Sequence, residues 1–104
     1  MEISLNVVDR LTIISILPSS GKLTDLVEIF DLVKKLKFSD EEKEELEMVT
    51  NQEKVMWNLE KDIEKKFEIS FEQLRIIKDK IKELDEKGLI NIASLETCLK
   101  FNKL

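Results

Sequence analysis

Only three residues of this 104-residue chain, Pro18, Gly21 and Gly88, are of the types that interrupt helices. Domains built from many short strands need Gly and Pro at their tight turns, whereas a helix is ended by them. So few breakers predict long uninterrupted elements, and therefore a predominantly helical domain. The hydrophobic share of 42% is enough for one core. Together with the length it predicts a single domain spanning residues 1–104.

The apolar spacing divides the chain. Residues 2–5 read as a short strand or arm, and Asn6 is placed to cap a helix beginning at Val7. From Val7 to about Leu17 apolar residues fall on nearly every side, which predicts a central helix ended by Pro18. Pro18-Ser19-Ser20-Gly21 is a loop. Leu26, Ile29, Phe30, Val33 and Leu36 repeat at helical spacing and predict a second helix from about Thr24 to Lys37. Its acids lie at its start and its lysines at its end, which suits the helix dipole. Ser39 with Glu42 has the spacing of a capping box and predicts a short third helix over 40–47.

The spacing then changes from helical to alternating. Asn51-Gln52 marks a turn between strands near 47–50 and 54–58, and a third strand fits 63–69. This is a small antiparallel β-meander at roughly 47–69. Ser70 with Gln73 is a second capping box. It opens a helix over 71–87, whose Leu74, Ile77, Ile81 and Leu84 form one apolar seam. Gly88 stops it. Asn91 caps a last helix over about 92–101, with Ile92, Leu95, Cys98 and Leu99 expected to face inward. The predicted fold class is α+β, predominantly α-helical, with about five helices and one meander.

The absent residue types bear on chemistry. The chain has no histidine and no tyrosine. That removes the usual general base and every Ser-His or Cys-His nucleophile pair. Two glycines 67 residues apart cannot form a phosphate loop. We therefore expect no catalytic residue, no cofactor and no metal site. Cys98 has no second cysteine to pair with, and a small buried side chain is its expected role. Met1 to Ser4 has no basic stretch, and Leu11–Leu17 is far short of the roughly 20 residues of a membrane span. A cytoplasmic location, away from the membrane, is the expectation.

The net charge of −5 is local. Residues 40–47, Asp-Glu-Glu-Lys-Glu-Glu-Leu-Glu, hold six acids and one base. The remainder is balanced. The run reads either as a solvated helix face or as a docking surface in which Asp40, Glu41, Glu44, Glu45 and Glu47, with Met48 and Trp57, meet a basic partner. Trp57 itself reads as core or as an interface anchor. The order helix, helix, short helix, hairpin is that of a winged helix-turn-helix. Its reading helix would carry the whole negative excess toward a polyanion, so direct DNA binding is not expected.

The segment Ile16-Leu17-Pro18, Gly21, Thr24 to Lys37 and Phe38-Ser39-Asp40-Glu41-Glu42, followed by Trp57-Asn58, Ile69, a long helix and Gly88, resembles a group of short proteins encoded by bacteriophages and prophages. The resemblance spans nearly the whole chain. It implies a phage setting, hence the host cytoplasm, and supplies no functional residues. Three functions suit such a setting. One is an inhibitor or adaptor that binds a host or viral protein through the acidic surface. Another is an oligomeric protein that sequesters a small nucleotide-like ligand against host defence, for which basic and aromatic groups would have to converge. The third is a virion assembly accessory. The seam of helix 71–87 would serve self-association if it were not spent on the chain's own core.

Overall fold

The computed structural model describes residues 1–104. Strand β1 (Glu2–Leu5) leads into helix α1 (Val7–Ile16), then α2 (Leu23–Leu36) and α3 (Asp40–Glu45). Strands β2 (Val49–Asn51) and β3 (Lys54–Met56) come next, then β4 (Lys65–Glu68), α4 (Phe71–Glu86) and α5 (Leu95–Asn102). Single 3₁₀ turns at 59–61 and 92–94 fill the connections. The fold is α+β and mostly helical, with two small antiparallel sheets.

Local chemistry explains the helix starts. Asn6 accepts from the Asp9 amide, and Asp9 returns a carboxylate to the Asn6 amide. Ser70 and Gln73 make the same reciprocal pair at the start of α4. Each box satisfies two amide donors that a helix start leaves free. Gly88, just past the end of α4, has φ +66°, a conformation that costs a side-chain-bearing residue about 1–2 kcal/mol.

Strand pairing departs from one continuous meander. β2 and β3 form the expected hairpin, with Val49 opposite Met56 and Asn51 opposite Lys54. The third strand is present, but it pairs with β1: Leu5 stands opposite Lys65 and Ile3 opposite Phe67. β1 offers Ile3 and Leu5 to the core, and β4 beside it leads into the buried Ile69. Pairing there extends the core, whereas extending the exposed hairpin would not.

The main core gathers ten buried residues from β1, α1, α2, α4, α5 and Ile69, with Leu5, Ile13, Leu32, Ile77 and Phe101 fully enclosed. A smaller second cluster, Val7, Phe38 and Leu46, lies under α3 and is flanked by Leu11, Met48 and Trp57. Two helices depart in part from the faces their spacing suggests. On α2, Ile29 and Leu36 are buried as the spacing suggests and Leu32 joins them, but Phe30 is 66% exposed, with the Lys34 ammonium 5.2 Å from its ring centroid. On α5, Cys98 faces inward as expected, together with Thr97 and Phe101; Leu95 and Leu99, and Ile92 in the turn before the helix, face outward. An apolar residue on each side of a helix gives two candidate stripes, and only the neighbouring elements select one.

Helix α4 does use its seam internally. Ile77 and Ile81 belong to the main core, and Leu74 packs against it. The seam that self-association through helix 71–87 would need is therefore spent on the chain's own core.

Candidate functional site

Helix α3 is short and begins firmly. Ser39 accepts from the Glu42 amide, and three acids occupy the first turn, where the helix dipole favours them. The other half of the expected capping box is missing because Glu42 points elsewhere. Its carboxylate receives Arg10 through Nη1 at 2.6 Å and Nη2 at 2.9 Å, and Lys65 at 2.7 Å. A fork-shaped pair of this kind is stronger than a single amide-to-carboxylate bond.

Arg10 is almost wholly buried. Its Nε donates to the Leu36 carbonyl and its Nη2 to the Lys37 carbonyl, groups that the end of α2 leaves unpaired. Its guanidinium carbon lies 3.8 Å from the Phe38 ring centroid and 5.0 Å from that of Phe67. One side chain thus ties α1 to the end of α2, to α3 and to β4. Hydrogen bonds from Arg10, reinforced by Lys65 and opposed by burial, hold the Glu42 carboxyl down to about 2. Asp9, the next residue back, serves the opposite side. It accepts from Thr97 Oγ1 at 2.7 Å and from Lys100 Nζ at 2.6 Å, joining α1 to α5.

With Glu42 turned inward, Asp40, Glu41, Glu44 and Glu45 are left on the surface without an ion pair. Glu47 differs. It accepts from Asn58 at 2.8 Å and lies 3.4 Å from Lys61, and these contacts, Asn58 first, lower its carboxyl below the usual range. Its φ of +55° reverses the chain after α3. The Met48 amide then donates back to the Lys43 carbonyl and the Glu47 amide to the Glu44 carbonyl, the bond pattern of a Schellman close.

Met48 and Trp57 are less exposed than Asp40, Glu41, Glu44 and Glu45 of α3. Both are partly buried against the second cluster, and the Trp57 indole N–H is enclosed without an acceptor. The exposed apolar side chains of this region are Val49 and Met56, which face each other across the hairpin, with Leu59 and Ile63 beyond. The strand period could have shown part of this, since Met48 and Val49 are adjacent and point to opposite faces. Nothing in local spacing links Arg10 to Glu42, 32 residues away.

The largest groove, about 850 Å³, lies between the end of α1, the Ser19-Ser20 loop, the end of α4 and the 89–94 connection. Its lining holds one cation, Lys80, and no aromatic ring. Cys98 closes its floor, and burial pushes the thiol up. No three His, Cys, Asp or Glu side chains converge on a point that could hold a metal ion. No helix is long and apolar enough to cross a membrane. No protein family, curated protein or solved structure matches the chain.

Proposed function

We propose that this chain is a non-catalytic, phage-type accessory protein that binds a host or viral protein, as an inhibitor or adaptor, through helix α3 and the adjoining hairpin. One observation carries the reading: Asp40, Glu41, Glu44 and Glu45 stand unpaired on one short helix, held in place from beneath by the buried Arg10–Glu42 pair. The chain runs from this helix into the hairpin, whose paired Val49 and Met56 are exposed apolar side chains. Apolar side chains near charged ones suit the apolar centre and polar rim of a protein interface. The partner's complementary surface is basic with an apolar hollow. Met48 and Trp57 support this surface from below. The sequestering reading has less to rest on, because the largest groove lacks convergent basic and aromatic groups.

The test begins with recovery of the tagged chain and its bound proteins and small molecules from the host, identified by mass spectrometry. Association with the recovered partner is then timed at several salt concentrations. Replacing Glu41, Glu44 and Glu45 together by Gln is expected to slow association about tenfold and to flatten its salt dependence. Melting should change little, because exposed charges contribute little to stability. An unaltered rate and salt slope would reject the acidic surface, and a co-purifying nucleotide in place of a protein would favour the sequestering reading.

A further inference from the structure

A second surface lies on the α4–α5 side, away from α3. A groove of about 360 Å³ runs between these helices, lined by Ile81, Ile90, Leu95, Cys98 and Leu99. Leu95 and Leu99, one turn apart on α5 and 41% and 48% exposed, form a ridge on its α5 side. In an isolated globule such a row is unusual, since exposed apolar side chains are normally scattered.

The charges around this ridge are ordered. The chain reverses between α4 and α5, so Asp85 stands at the connected end of the groove. Lys78 stands at its open end, with Lys82 between. None of these three makes an ion pair within the chain, whereas Asp79 at the same rim is already held by Arg75 at 3.1 Å. One end is acidic and the other basic. A two-fold rotation about the middle of the Leu95–Leu99 ridge lays the acidic end of one copy on the basic end of another. It also sets Leu95 of each copy against Leu99 of its mate. Such self-complementarity is what an isologous interface requires.

We propose that this face binds a second copy of the chain, giving an antiparallel two-fold dimer with Leu95 and Leu99 at its centre. Asp85 of each copy then meets Lys78 and Lys82 of the other. The arrangement also keeps the acidic α3 helices outside the contact, so two chains of net charge −5 can meet without bringing their excess charge together. The ridge is short, so the dissociation constant is on the order of micromolar or weaker.

Sedimentation equilibrium of the full chain, from about 1 µM to about 1 mM, tests this directly. The expected result is a reversible monomer–dimer equilibrium that weakens with salt. Leu99→Glu is expected to weaken it about thirtyfold while leaving the far-UV circular dichroism unchanged. Lys78→Glu should also weaken it, and adding Asp85→Lys to that chain should restore it. Lys22→Glu, a charge-matched change elsewhere, should not weaken it comparably. A monomer at every concentration overturns the proposal and leaves the groove to a different chain. A dimer that survives Leu99→Glu, or is lost instead with Phe30→Glu on the exposed face of α2, overturns it as well.

Discussion

The main core and the α3–hairpin region are built on different physics. In the first, ten buried residues drawn from six parts of the chain exclude water, and every buried polar side chain within it is paired. In the second, three buried residues sit under a six-residue helix and two three-residue strands, and the enclosed Trp57 N–H has no acceptor. To its smaller apolar cluster the second region adds one part-buried ion pair. A region with a small core and an ionised link opens more easily and responds to pH, and partner-binding segments are commonly drawn from the less stable parts of a fold.

Deleting side chains in each cluster gives the largest contrast. Phe101→Ala should cost about 3–5 kcal/mol and lower protection from hydrogen exchange throughout the chain. Leu46→Ala should cost about 2–3 kcal/mol, with lost protection concentrated in 39–63. Equal, chain-wide loss in both variants would mean that the two regions are one cooperative unit.

The ion pair comes next. Arg10→Met should cost about 3 kcal/mol or more in chemical denaturation, because it leaves Glu42 half-paired and strips the Leu36 and Lys37 carbonyls of a donor. The same pair sets a pH response. The carboxyl of Glu42 is depressed in the folded chain, so its stabilisation is complete above pH 4.5 and falls away as pH drops toward 2. Allowing for solvent screening on the Lys65 side, that contribution is about 1–2 kcal/mol. Glu42→Gln should remove this part of the acid sensitivity, and an acid limb unchanged in that variant would contradict the assignment.

The smallest effect lies in the hairpin turn. Gln52 and Glu53 have φ of +48° and +68°, as a type I′ turn demands, yet neither is a residue that favours it. Gln52→Asn with Glu53→Gly should add about 1 kcal/mol to the hairpin, read as slower amide exchange in 49–56. No slowing there would mean that the turn is not what limits the region.

The sequence by itself determined the parts of this protein whose causes are local. The caps at Asn6 and Ser70, the stop at Gly88, the α3 start at Ser39 and the hairpin all rest on groups within a few residues of each other, so spacing alone could place them. Tertiary structure decided the rest. Strand β4 satisfies its backbone either beside the hairpin or beside β1, and only the apolar faces of Ile3 and Leu5 favour the latter. Glu42 has the spacing of a capping residue, but a buried guanidinium 32 positions earlier competes for it and wins, since an unpaired buried charge is costlier than one amide left to water. The exposed Phe30, Leu95 and Leu99 obey the same logic: a helix with apolar residues on two sides has no preferred inward face until its neighbours are in place.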